Sequence, residues 1–283
     1  MVDFVKVICR DVGFLRDHEY LETLFKREVN LSTGETKNFE SATLQNLKFK
    51  LYDSGLLELS GSLHKYWNNG QHNANDFSFS SLLNVLNELK REFGIDLDQC
   101  MIQNIEFGLN IRPPVPSNEI LESLVVHKAK GFDRRFNGLM KEASYSQYIC
   151  KYYDKGKQEK LSHECFRYEL KYIRSCQLTA FGIKNLADLQ QSGWPKLVEN
   201  ELLKHWQNTL LYEPTYSQTP KYEWQIPCYW SKLPATTRLR QKQQFKRVME
   251  THSENLKDQL ETLLLGKWKE LKKKVIVINS HLG

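Results

Sequence analysis

Within Tyr152-Tyr153-Asp154-Lys155-Gly156-Lys157, two phenols, a carboxylate and two ammonium groups fall inside six residues. A tyrosinate that attacks a phosphodiester forms a covalent phosphotyrosyl link and releases a 3′-hydroxyl. A free phenol has a pKa near 10 and needs activation. Tyr153 and Lys157 have the spacing Y-x-x-x-K, so the ammonium can orient the phosphate that the phenol attacks. Tyr148 and Tyr152 are alternative nucleophiles. In a strand Tyr152 points away from Tyr153, which separates the two. Paired tyrosines are also common in ordinary strands, and Lys155-Gly156-Lys157 also reads as a solvated turn.

Three further stretches carry candidate ligands. Glu106 lies in the apolar run Ile105-Glu106-Phe107. Strand alternation puts Glu106, Gly108 and Asn110 on one face. A carboxylate there must be solvated, paired or metal-bound, because an unpaired buried one is costly. Gly108 leaves room for close approach of a ligand. His64, in Gly61-Ser62-Leu63-His64-Lys65, sits near the end of a predicted strand and shares a face with Ser62. An imidazole there can bind a divalent ion, or be an ordinary surface histidine beside a loop. Arg167 and Glu169 share a face of the segment Phe166 to Lys171. They read as a structural ion pair or as groups that position Asp154 and a metal.

These residues need a sheet to hold them. Val2 to Cys9 reads as a first strand, and Leu47 to Leu63 as a hairpin with its turn at Asp53-Ser54-Gly55. His18 to Lys37 reads as a loop with a short helix. A helix starting at Asp76 or Ser78 presents Leu82, Leu83, Val85, Leu86 and Leu89 and closes at Gly94. Met101 to Ile111, Tyr145 to Tyr153 and Cys165 to Ile173 are further strands, and Ser117 starts another helix. The expected fold is α+β, with an antiparallel central sheet and flanking helices. Residues 1–182 form the expected sheet domain. Residues 183–283 form a mostly helical basic region, whose run Val275-Ile276-Val277-Ile278 reads as a final strand returning to the sheet or as a cut inside a longer protein.

The chain has 283 residues and a net charge of +6, which favours polyanionic partners. Fourteen Phe and thirteen Tyr suit a pleated, half-buried surface. Candidate phosphate contacts are Lys65, Arg134, Arg135, Lys151 and Arg167, and, on one long predicted helix, Arg238, Arg240, Lys242, Lys246 and Arg247. Such runs are also ordinary solvated faces. Trp194, Trp206, Trp224, Trp230 and Trp268 can stack bases but read first as packed anchors. The six cysteines form no C-x-x-C pair and read as reduced thiols. The first ten residues lack the apolar core of a signal peptide, and no apolar run approaches the roughly 20 residues a membrane span needs.

Taken in order, Val2-Asp3-Phe4, Gly61-Ser62-Leu63-His64-Lys65, Ile105-Glu106-Phe107-Gly108-Leu109-Asn110, Tyr152 to Lys157 and Arg167-Tyr168-Glu169 resemble replication initiation proteins of the rolling-circle type. The nearest groups are the filamentous-phage gene II-like initiators and related plasmid or integrative-element initiators. The resemblance covers roughly residues 1–189. It implies an HUH-like endonuclease fold, a nucleophilic tyrosine and a divalent metal, Mg²⁺ or Mn²⁺. By this resemblance Tyr153 is the nucleophile with Lys157 beside the phosphate, His64 and Glu106 are metal-site residues, and Glu169 and Asp154 are further participants. The chain lacks a His-hydrophobe-His triplet, so one histidine with carboxylates would replace the usual pair. The implied partners are single-stranded or hairpin origin DNA and the host helicase and polymerase, with a homodimer as an allowed assembly and no membrane. The implied location is the cytoplasm of a bacterial cell, with the chain encoded by a phage or mobile element. The competing reading is a noncatalytic basic DNA-binding protein, and a third is a protein-interaction module.

Overall fold

A computed structural model describes residues 1–273 apart from 11, 13, 14, 16, 20, 30, 214–220 and 252–254. The predicted strand at Val275 to Ile278 lies outside the described residues. The chain is an α+β protein with a central antiparallel sheet, flanking helices and a mostly helical C-terminal region. It divides into two compact units. The first comprises Met1–Phe107, Tyr172–Pro195 and Trp268–Gly283, and the second Gly108–Lys171 and Lys196–Lys267. No described helix is long and apolar enough to cross a membrane.

In the first unit the strands are β1 (Val2–Cys9), β2 (Lys26–Val29), β3 (Thr36–Leu44), β4 (Leu47–Tyr52), β5 (Leu57–Ser62) and β6 (Met101–Ile111). They hydrogen-bond in the order β2-β3-β4-β5-β1-β6, each pair antiparallel. The last residues of β6 belong to the second unit. Alternation is clean in β4, where Leu47, Phe49 and Leu51 are buried. The predicted hairpin is β4–β5. The stretch expected as a loop with a short helix has a short helical turn at Glu22–Leu24 but also holds β2 and the start of β3, because polar strand residues exposed on a sheet leave no apolar alternation to read.

Short helix α1 (Leu63–Trp67) and long helix α2 (Phe79–Phe93) follow β5. Ser78 caps α2 by accepting from the Ser81 amide at 3.1 Å, and Gly94 ends it in the left-handed conformation at φ 60°. Its buried stripe is Phe79, Leu82, Val85, Leu86, Leu89 and Phe93. His64 was expected on a strand; it lies in α1 and is buried. Ser62 ends the strand by turning its hydroxyl onto the Lys65 amide at 3.0 Å, so face-sharing between Ser62 and His64 does not apply. Cys9 and Cys100 form a disulfide, contrary to the expectation of reduced thiols. The β1–β6 register, which pairs Ile8 with Met101, brings them together across 91 residues.

The second unit contains α3 (Ser117–Ser123), β7 (Leu124–His127), β8 (Lys130–Gly131), β9 (Asp133–Arg135), β10 (Met140–Ser144), β11 (Tyr148–Asp154), α4 (Lys155–Gln158) and β12 (Phe166–Tyr172). The helical region then supplies α5 (Trp194–Gln207), α6 (Pro227–Lys232), α7 (Ala235–Glu250) and α8 (Leu256–Leu271), with β13 (Thr209–Leu211) after α5. One strand order is β12-β11-β10-β9, and a small sheet runs β13-β7-β8. Trp224, Trp230, Phe245 and Met249 pack on Val125, Val126 and Leu210. All five tryptophans considered as base-stacking platforms are at most 2% exposed, so they anchor the core.

Candidate metal centre

Two buried carboxylates meet in the first unit. Asp3 on β1 and Glu106 on β6 are 5% and 6% exposed, and each offers an oxygen within 4.8 Å of the other. The β1–β6 register slips between Val2 and Val5, so that two residues of β1, Asp3 and Phe4, face Glu106 alone on β6. That bulge falls on Asp3 and re-aims its side chain, which is why simple alternation does not place it. The Asp3 carboxylate is tightly held. One oxygen accepts from the Ser62 hydroxyl, and the other accepts from Asn73 Nδ2 at 2.6 Å. The serine of the Gly-Ser-Leu-His-Lys stretch thus contacts Asp3. A Cβ at Gly61 would lie 2.2 Å from the Asn46 carbonyl oxygen, so only glycine lets β5 close there.

His64 is buried on α1. Its ring stacks on Phe77 at 5.0 Å, and its Nε2 lies 2.7 Å from Asn75 Oδ1. That oxygen also accepts from Asn68 Nδ2, so the His64 nitrogen carries the proton and donates. Among the described residues His64 belongs to no group of converging metal-ligating atoms.

In the second unit Glu169 on β12 is 2% exposed. Its Oε1 accepts from Arg167 Nε at 2.5 Å, and Arg167 Nη1 donates to Asn110 Oδ1 at 2.7 Å. The expected Arg167–Glu169 ion pair is therefore present. Glu169 Oε2 accepts no hydrogen bond and is buried; Lys151 Nζ lies 3.7 Å away. Gly108 gives its space to this pair. A Cβ there would meet Arg167 Nη2 at 2.6 Å and Glu169 Cγ at 3.0 Å. The room expected for a ligand is filled by a guanidinium.

Lys151 reaches Glu169 from β11, so odd-numbered β11 residues, Tyr153 among them, face that side. Tyr152 faces the other way. It is fully buried, stacks on Tyr168 at 5.3 Å and shares a hydrogen bond with Thr209 at 2.7 Å. Burial raises its pKa well above the ordinary phenol value, and burial likewise raises that of Tyr148, whose hydroxyl accepts from Lys128 Nζ at 2.6 Å. Asp154 is buried and caps α4. Its Oδ1 accepts from the Lys157 amide at 2.9 Å, and Lys157 Nζ lies 3.4 Å from Oδ2. Lys157 is exposed.

The expected phosphate contacts divide by burial. Arg134, Arg135, Arg240, Lys246 and Arg247 are exposed, although Arg134 pairs with Glu122 at 2.5 Å and Arg135 with Glu142 at 3.1 Å. Arg238 donates to the Leu233 carbonyl at 2.7 Å. Lys242 is partly buried, and desolvation lowers its pKa to about 8. Lys65 is half-buried on α1.

Sequence reasoning did not single out Asp3 as a ligand, nor His127, Cys150 and His205, whose ligand atoms also converge within 4.8 Å. Asp3 carries the signal that exposed Glu106, a carboxylate inside an apolar strand. The other three are spread over 78 residues and carry no local signal. Burial lowers His127 to a pKa of about 3 and His205 to about 4, and it pushes the Cys150 thiol up. These buried clusters have the donor chemistry of a divalent metal site.

No protein-family model matches the chain, and no curated protein matches it. Among solved structures, the chain is similar to a rolling circle replication initiator protein from Geobacillus stearothermophilus, at 12% identity and a TM-score of 0.43, over 81% of this chain and 92% of that one.

Proposed function

We propose that this chain is a metal-dependent DNA nickase and strand transferase that starts rolling-circle replication through a 5′-phosphotyrosyl intermediate. The observation that carries the reading is the buried Asp3–Glu106 carboxylate pair, built on neighbouring strands and held by Ser62 and Asn73. Two like charges so close and so buried favour a bound cation. Glu169, a further participant by the resemblance, is buried and has an oxygen that accepts no hydrogen bond. A Mg²⁺ or Mn²⁺ ion bound at the carboxylate pair would withdraw charge from a scissile phosphate.

Tyr153 is the proposed nucleophile. It shares the β11 face with Lys151, whereas burial disfavours the ionised forms of Tyr148 and Tyr152. In the proposed step the Tyr153 oxygen bonds to phosphorus, the P–O3′ bond breaks, and the departing 3′-oxygen ends as a hydroxyl with the phenol's proton. Exposed Lys157 orients the phosphate. Arg134, Arg135, Arg240, Lys246 and Arg247 contact the backbone of single-stranded or hairpin origin DNA, and residues 1–182 carry the nicking chemistry. The freed 3′-hydroxyl would prime synthesis by the host polymerase and helicase.

The test is a denaturation-resistant protein–DNA adduct formed with single-stranded origin DNA and Mg²⁺ or Mn²⁺. The wild-type chain should form it. Tyr153→Phe should not, while Tyr152→Phe and Tyr148→Phe should. An unchanged adduct in Tyr153→Phe removes that residue from the reading. Salt-sensitive DNA binding with no metal-dependent cleavage would leave a noncatalytic DNA-binding protein.

A further inference from the structure

We infer that His127, Cys150 and His205 form a zinc site in the second unit, tying helix α5 to strands β7 and β11. The three atoms facing one another are His127 Nε2, His205 Nδ1 and Cys150 Sγ. The nitrogens are 3.2 Å apart, and the sulfur is 3.6 Å from one and 3.7 Å from the other. A tetrahedral zinc with ordinary Zn–N and Zn–S bonds needs edges of about 3.4 Å between nitrogens and about 3.6 Å from nitrogen to sulfur. The cluster has the spacing of one triangular face of that polyhedron. One thiolate with two imidazoles is a ligand set that favours zinc over Mg²⁺ or Ca²⁺.

The outward-facing nitrogens supply independent support. The Tyr145 hydroxyl donates to the His127 carbonyl at 2.8 Å, so His127 Nδ1 must donate to the Tyr145 oxygen, also at 2.8 Å. This tautomer leaves a lone pair on Nε2, pointing inward. His205 Nε2 faces Glu201 Oε2 at 3.6 Å, which favours a proton on that nitrogen and a second inward lone pair on Nδ1. Two lone pairs 3.2 Å apart in a buried pocket repel unless a cation lies between them and the sulfur. The single S–H proton of Cys150 can serve only one of them. A carbonyl-locked hydroxyl on one histidine and a carboxylate on the other is the outer arrangement that orients zinc-bound imidazoles. His127, Cys150 and His205 are at most 3% exposed, and Tyr148 lies edge-on over His205 at 4.4 Å. The three protein ligands leave the fourth position to water. Binding exchanges the thiol proton for the metal, with no change of oxidation state.

The full-length chain, purified without chelator, should carry one zinc per molecule by elemental analysis. Replacing it with Co²⁺ should give a thiolate-to-cobalt charge-transfer band. Glu106→Gln should retain both signals, which separates this site from the carboxylates of the proposed nickase centre. Cys150→Ser should lose the band, and His205→Cys, which supplies another soft ligand, should keep it. A folded wild-type chain that binds neither zinc nor cobalt would overturn the proposal, because the imidazoles would then share a proton. A band that persists in folded Cys150→Ser would overturn it too, as would copper at the same stoichiometry.

Discussion

Burial acts on both candidate clusters, but on groups of opposite acid–base character. Around Asp3 and Glu106, the first unit encloses two carboxylates within 4.8 Å and supplies donors to Asp3 from Ser62 and Asn73. Donors of that kind favour a carboxylate's anion, which a cation can answer. Around His127 and His205, the second unit encloses bases, and desolvation strips their protons, lowering the pKa values to about 3 and about 4. A neutral imidazole still has a lone pair and remains a ligand, whereas a neutral carboxylic acid is a poor one. The acidic region therefore relies on donors that favour its anion, and the imidazole region on neighbours that hold each ring's proton outward.

The largest test of this contrast is Glu106→Gln. It keeps the shape and removes one charge. Metal-dependent cleavage should fall by about 10³-fold or more, as expected if several kcal/mol of transition-state stabilisation is lost. In the absence of metal the same variant should be more stable than wild type, since the repulsion with Asp3 is gone. Added Mg²⁺ should then raise the Tm of wild type more than that of the variant. Equal metal-induced shifts would break the contrast at its acidic end. Next in size, Cys150→Ser should cost about 2–4 kcal/mol in a denaturant titration, through lost burial of sulfur and, in the metal-loaded protein, a lost ligand.

The same comparison explains which parts could be read from sequence. The hairpin β4–β5 and helix α2 were legible because Leu47, Phe49 and Leu51 alternate and because Ser78 and Gly94 bound a 3.6-residue apolar stripe. Strands β2 and β3 were missed because their exposed residues carry no alternation. Glu106 stood out as a charge in an apolar strand. Asp3 had the same signal but sits at a register slip, which no period-2 rule resolves. His64 was misplaced because Ser62 could either continue a strand or cap a helix, and the cap prevailed. The second cluster was illegible in principle, since its ligands come from β7, β11 and α5 and only tertiary packing collects them.

Lys141 on β10 gives a smaller, pH-dependent test of how the second unit treats a cation. It is 6% exposed and donates to the Leu124 carbonyl at 3.2 Å, and burial lowers its pKa from 10.5 to about 8. The unfolded chain binds this proton more tightly than the folded one. The burial cost is thus fully present below pH 8 and is relieved as pH rises from about 8 to 10.5. Lys141→Met should stabilise the protein at pH 7 by about 1–2 kcal/mol, after allowing for the unsatisfied carbonyl. That advantage should shrink toward pH 10 in parallel denaturant titrations. A constant gap would mean that the ammonium is better solvated than its burial implies.

The smallest expected effect is the most selective for the comparison. Glu201→Gln removes the charge beside His205 Nε2, 3.6 Å away, but keeps a hydrogen-bonding group of the same size. If the carboxylate only decorates the surface of α5, zinc affinity in a competition titration will not change. If it fixes the imidazole with its lone pair turned toward Cys150 and His127, affinity should fall by about 10-fold, the lower end of what outer partners of metal-bound histidines contribute. Cleavage of origin DNA should be untouched, because Glu201 acts on the imidazole region alone. A loss of cleavage without a loss of zinc would reverse that assignment and make Glu201 part of the nicking chemistry.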